Sequence, residues 1–163
     1  GSTFFFTLPT TSPIAHPPPN LLAVTQLGHL LLVDDDDTFR ESLSELLTEQ
    51  GYTVSAASNG AMALKALQGG LKPVLILLDL QMPVMDGFAF LERRSSEAFL
   101  AAIPILVLSA AVHEKSVLAS CKTQVMYKLT PVQDVLHKIA LMREVHSDSQ
   151  VVTSINSASR REH

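Results

Sequence analysis

Apolar and polar positions alternate between two periods along the middle of the chain. Continuous apolar runs at 29–33, 74–78 and 105–108 have the length and pattern of strands buried on both faces of a parallel sheet. Weaker β-prone pieces lie at 52–56 and 125–129. Between these runs the apolar residues recur at helical spacing. Phe39, Leu43, Leu46 and Leu47 share one face of a helix over 37–50, which Gly51 ends. Met62, Ala63, Ala66 and Leu67 predict a second helix, closed by Gly69-Gly70. A third begins at Asp86, a good N-cap, and covers 88–97. Val117, Leu118 and Cys121 suggest a fourth. Val132, Val135, Leu136 and Ile139 mark a fifth, with Pro131 at or near its start.

Strand and helix therefore alternate five times. Right-handed crossovers turn that order into an α/β fold: a parallel sheet covered by helices on both faces. Such sheets bind ligands at the carboxyl ends of their strands. Asp34 to Asp37 follow the first strand, Asp79 the third and Ser109 the fourth. The fold would gather these groups at one edge. Clustered carboxylates repel one another and favour a divalent cation with oxygen ligands, and Mg²⁺ suits a few carboxylates and retained waters. A carboxylate beside such a metal can act as a nucleophile toward a phosphoryl group. The plainer reading of an acidic run after a strand is a solvated turn or helix cap. It fits Asp36 and Asp37 well, and Ser109 alone is an ordinary turn residue.

The residues Asp79-Leu80-Gln81-Met82-Pro83-Val84-Met85-Asp86-Gly87 resemble the phosphoacceptor loop of bacterial response-regulator receivers. Val33-Asp34-Asp35-Asp36 resembles that family's acidic pair, and Leu108-Ser109-Ala110 its switch hydroxyl. The resemblance covers 29–142. It implies a flavodoxin-like sheet in the strand order 2-1-3-4-5, with Asp79 accepting the phosphoryl group. It implies Mg²⁺ held by Asp34, Asp35, Asp79 and the backbone carbonyl of Gln81. Ser109 would bond the phosphoryl oxygen, and Tyr127 would be the switch aromatic. The family carries lysine before the proline that follows strand five, but Thr130 stands there in this chain. Lys128, two positions earlier, is the substitute candidate. Side chains two apart share a strand face, so it could point to the site from one layer further back, and a register slip would also place it there. Otherwise it is an exposed edge-strand lysine, and Thr130 with Gln133 is a capping box. The segment before strand five, 120–124, also lacks the family's small Gly-Ala turn.

Composition bounds the remaining possibilities. The 163 residues suit one domain, here 29–142. A Pro- and Thr-rich arm precedes it (1–28) and a polar, Ser-rich extension follows (143–163). The arm could dock on a partner or on a second copy of the domain, giving a homodimer. A net charge of −4 argues against general nucleic-acid binding. No apolar run is long enough to span a bilayer, so no membrane role is expected. A single cysteine, Cys121, fits a reducing cytoplasm. The six histidines show no metal-ligand spacing. His29 and His137 read as surface or edge residues.

The leading expectation is a stand-alone receiver, not an enzyme. It would be phosphorylated by a histidine kinase or phosphotransfer protein and signal to a downstream protein target. No output domain is expected in the residues after Met142. One alternative is a degenerate receiver that docks a partner regardless of phosphate, which the missing lysine supports. The other is a Mg²⁺-dependent aspartyl-phosphate hydrolase. Gln81 weakens that reading, because such enzymes carry an acidic residue two positions after the nucleophile.

Overall fold

A computed structural model describes residues 26–110 and 123–158. Five strands form one parallel sheet: β1 (His29–Val33), β2 (Thr53–Ala57), β3 (Leu75–Asp79), β4 (Ile105–Ser109) and β5 (Gln124–Tyr127). Their order is β2-β1-β3-β4-β5, as the family resemblance implies. The described helices are α1 (Asp37–Glu49), α2 (Gly60–Gln68), α3 (Gly87–Ser95), the short α4 (Ala98–Ala101) and α5 (Val132–Ala158). The predicted fourth helix around Val117, with Cys121, lies outside the described residues, as does most of the N-terminal arm.

Every residue of β3 and β4 is buried. Their alternating side chains build two cores, because successive residues of a strand point to opposite faces. Leu31, Val33, Ile76, Leu78, Ile105 and Val107 pack with residues of α2, α3 and α4. Leu30, Leu32, Leu75, Leu77, Leu106 and Leu108 pack with Leu43 and Leu47 of α1 and Val135 and Ile139 of α5.

Local chemistry sets the helix ends. The Asp36 carboxylate caps α1 by accepting from the Phe39 amide at 3.1 Å, Asn59 caps α2 through the Met62 amide at 3.0 Å, and Asp86 caps α3 through the Ala89 amide at 2.8 Å. Each satisfies a donor that the helix itself leaves open. The third helix ends at Ser95 rather than near residue 97. Arg94 there donates to the carbonyls of Leu100 and Ala101, each at 2.8 Å, and to that of Ile103. It thus folds the chain back through α4 toward β4.

Two expectations are corrected, and the end of the fifth helix, which the sequence leaves open, is located. The fifth strand ends at Tyr127 rather than at 129, because a turn closes over Lys128 and Leu129 with the Thr130 amide donating to the Tyr127 carbonyl at 3.0 Å. The fifth helix crosses the compositional boundary at 142–143 and runs to Ala158; no proline or glycine interrupts 132–158, so nothing in the backbone stops it. His29 is not at an edge. Its strand lies between β2 and β3, and its Nε2 is 2.8 Å from the Ser55 hydroxyl. His137 is exposed, as expected.

Candidate functional site

The register of the sheet assembles the site. Val33 pairs with Leu78, so one step further Asp34 lies beside Asp79. Asp79 pairs with Leu108, and Ser109 with Tyr127. The carboxyl ends of four strands thus bring Asp34, Asp79, Ser109 and Lys128 to one edge. Asp34, Asp79 and Ser109 are the buried polar or charged residues among those described. Asp79 is the last residue of β3 itself, so a fully buried strand delivers its carboxylate.

Lys128 is the first residue beyond β5. Its amide donates to the Ser109 carbonyl at 2.9 Å. Met126, two residues earlier, packs in the core beneath α1 and α5, and Lys128 points to that same side. Its Nζ donates to Asp79 Oδ2 at 2.9 Å and pairs with Asp34 Oδ2, also at 2.9 Å. The lysine side chain is 19% exposed. It is neither one layer behind the site nor a solvated edge residue. Ending the strand at Tyr127 brings the lysine forward to the sheet edge, and Leu129 and Thr130 fill the turn before Pro131. Thr130 is half-buried.

One carboxylate oxygen from each of Asp34, Asp35 and Asp79 can lie within 4.8 Å of the others. Asp34 is fully buried and Asp35 is exposed. Asp34 Oδ1 accepts from the Asp36 amide at 3.0 Å. Its Oδ2 is buried and has the Lys128 ammonium as its partner. Three carboxylate oxygens, two of them from buried residues, are hard donors that fit a small divalent cation. The Gln81 amide lies 3.4 Å from Asp79 Oδ1, so the Gln81 backbone passes the same carboxylate.

Burial pushes the Asp34 carboxyl above its ordinary value, with the Asp79 charge adding to the shift; the Lys128 ammonium and the Asp36 amide oppose it only in part. Burial also pulls the Lys128 ammonium down. Asp34 and Asp79 together outweigh that pull and leave it above the usual lysine range. Opposite charges at contact distance favour both charged forms, whereas burial favours both neutral ones.

The loop after Asp79 is tightly constrained. The Met85 amide donates to the Pro83 carbonyl at 2.8 Å, and Val84 between them has φ 71°. This is a γ-turn of the strained kind. The Met85 carbonyl accepts from the Gly60 amide at 3.0 Å, tying the loop to α2. At Gly87 a Cβ would lie 2.4 Å from the Asp79 carbonyl oxygen and 2.7 Å from Leu80 Cα. Only glycine lets α3 start against the backbone of Asp79.

Two residues at the site were not singled out as functional from the sequence. Arg40 donates to the Asp34 carbonyl at 2.6 Å and pairs with Asp37. The Phe39 ring centroid lies 5.1 Å from Lys128 Nζ. Helical periodicity marks Phe39 only as a core position, and nothing in the spacing announces a lysine above it.

Comparison with known proteins agrees with this geometry. The family model described as "Response regulator receiver domain" matches residues 30–139. A probable transcriptional regulator, ycf27, of Cyanidium caldarium is 42% identical over 82 residues, which is 50% of this chain and 31% of that protein. The transcriptional regulatory protein AfsQ1 of Streptomyces coelicolor is 36% identical over 106 residues, 64% of this chain and 45% of the relative. The chain thus spans less than half the length of these curated relatives. Among solved structures, a response regulator of Chloroflexus aurantiacus superposes with a TM-score of 0.67 at 27% identity, covering 72% of this chain and 98% of the other. The response regulator TrrA of Thermotoga maritima, solved with Mg²⁺-BeF, superposes with a TM-score of 0.63 at 30% identity, covering 70% and 97%. With the family match spanning well over half of its length, the chain belongs to the response regulator receiver domain family of two-component systems.

Proposed function

We propose that this receiver domain accepts a phosphoryl group on Asp79 from a phosphohistidine of a histidine kinase or phosphotransfer protein. The observation that carries this reading is the Lys128 ammonium held between Asp34 and Asp79 inside the acidic cluster. Asp34, Asp35, Asp79 and the Gln81 carbonyl would hold Mg²⁺, which when bound supplies positive charge to phosphoryl oxygens. A carboxylate oxygen of Asp79 attacks phosphorus, the donor N–P bond breaks, and the leaving imidazole takes a proton. Lys128 offsets charge on the phosphorylated side chain, and the Ser109 hydroxyl offers it a hydrogen bond. Drawing Ser109 inward favours one of two pre-existing loop arrangements, which Tyr127 follows.

Signalling would then pass through protein contact with a downstream target, and the domain itself is not proposed to be an enzyme. Its relatives named as transcriptional regulators are longer proteins. A cytoplasmic setting fits two-component signalling, and no described helix is long and apolar enough to cross a membrane. A docking module indifferent to phosphate is the competing reading, motivated by Thr130 before Pro131.

Intact mass after incubation with acetyl phosphate and Mg²⁺ decides between them. One added phosphoryl group, absent in Asp79→Asn and absent without Mg²⁺, is the expected result. An unmodified wild-type mass where an ordinary receiver reacts would reject the switch in favour of docking.

A further inference from the structure

We propose that Phe39 is a positioning residue for Lys128, holding its ammonium between Asp34 and Asp79 through the face of the phenyl ring. The effect on phosphoryl uptake rests on the reading of Asp79 as acceptor; the positioning itself does not.

The need for such a support follows from where Lys128 stands. It lies in a turn past the end of an edge strand, and the next side chain, Leu129, is 96% exposed. The Ser109 bond to its amide and the Thr130 bond to the Tyr127 carbonyl fix the backbone of the turn and not the lysine side chain. Yet its side chain must cross above β4 to reach carboxylates on β3 and beyond β1. A lysine side chain is flexible and its ammonium a point charge without preferred direction. Two carboxylates at 2.9 Å attract it from the acidic side alone.

Phe39 supplies a contact from the other side. Its ring centroid is 5.1 Å from Nζ, inside the range in which a ring face attracts a cation. Phe39 is itself fixed in place. Its amide is the one that the Asp36 carboxylate caps, and its ring packs against the core beneath α1 and α5. Phe39, Leu43, Leu108, Val132 and Val135 share with Lys128 a small apolar groove of about 120 Å³. The lysine stem lies against this groove while the head reaches the carboxylates, as long cationic side chains do on apolar surface. The acidic run after β1 thus provides both one of the two carboxylates, Asp34, and the cap, Asp36, that orients the ring facing their counter-ion.

Two readouts test this. The first is the rate of phosphoryl uptake from acetyl phosphate with Mg²⁺ for Phe39→Leu and Phe39→Tyr, each in the wild-type and Lys128→Met backgrounds. Leucine keeps apolar bulk and loses the ring face; tyrosine keeps the face. The expected result is a slowing of roughly three- to thirtyfold for Phe39→Leu, recovery for Phe39→Tyr, and no further slowing by Phe39→Leu once Lys128 is methionine. Equal slowing in both backgrounds would mean a merely structural role and overturn the proposal. The second readout is the ring-current displacement of the Lys128 ε-methylene protons in metal-free protein, which needs no phosphorylation. It is expected in wild type and Phe39→Tyr and lost in Phe39→Leu. Unchanged shifts in Phe39→Leu overturn the positioning. If wild type takes up no phosphoryl group, the acceptor reading fails, and these shifts still decide the role of Phe39.

Discussion

At the scale of single residues, the site is a balance of charges that the fold alone does not resolve. Two buried carboxylates, Asp34 and Asp79, face one ammonium, and burial opposes the charges of Asp34 and Lys128. Asp34 has a pKa raised above 3.8. Its contribution to stability is therefore present below the unfolded value and lost as pH rises through the folded one, so at neutral pH the Asp34 charge works against folding. Asp34→Asn removes that charge while keeping the shape. It should stabilise the metal-free domain at pH 7, with the gain disappearing in acid; chemical denaturation at both pH values checks this. Lys128 has the same sign at the alkaline end. Its pKa is raised above 10.5, so its stabilising contribution is complete below that value and fades as pH climbs through the folded pKa. A Lys128→Met domain should show a flatter alkaline decline than wild type.

At the scale of elements, the link between β3 and α3 decides whether Asp79 is well placed. Two positions in it respond oppositely to substitution. Val84 is 88% exposed and has φ 71°, a conformation costly for a β-branched residue. Val84→Gly should raise stability by about 1 kcal/mol, because relieved strain exceeds the added freedom of the unfolded chain. A lower midpoint in that variant would argue that the γ-turn is not strained. Gly87→Ala should lower stability by about 2 kcal/mol or more, since the Asp79 carbonyl and Leu80 Cα are backbone atoms that cannot swing aside. It should also slow phosphoryl uptake, because relief of the clash displaces Asp79. A full-rate, full-stability Gly87→Ala domain would contradict this packing.

For the whole molecule, the proposed cation ligands come from the ends of β1 and β3, and the lysine from beyond β5. A ligand bridging these strands stabilises the assembled sheet and not one loop. At ten times its dissociation constant, Mg²⁺ should add about 1.4 kcal/mol to the unfolding free energy. Hydrogen exchange should then slow together in the buried strands β1, β3 and β4, which open with global unfolding. Asp34→Asn should lose most of this gain. Protection confined to the loop after Asp79 would show that the cation acts only locally.

The sequence by itself determined the strand–helix alternation, because buried parallel strands and amphipathic helices have different periods. It also determined the caps at Asp36 and Asp86 and the acidic residues at two strand ends. These are local properties, written in neighbouring residues. Strand ends shifted by one or two positions, since hydrophobicity continues past the last ladder bond or stops before it; this is why Asp79 falls inside β3. Composition divided the chain at 142–143, but helix formation needs only the absence of breakers, so α5 continues. Only the tertiary structure decided the fate of Lys128. Its distance along the sequence from Pro131 left it behind the site, in solvent, or at the site through a register slip. The turn closed by Thr130 and Tyr127 brings it instead to Asp34 and Asp79, residues 94 and 49 positions away. That choice depends on ion pairing between distant segments and on a ring supplied by α1, neither of which a local pattern encodes.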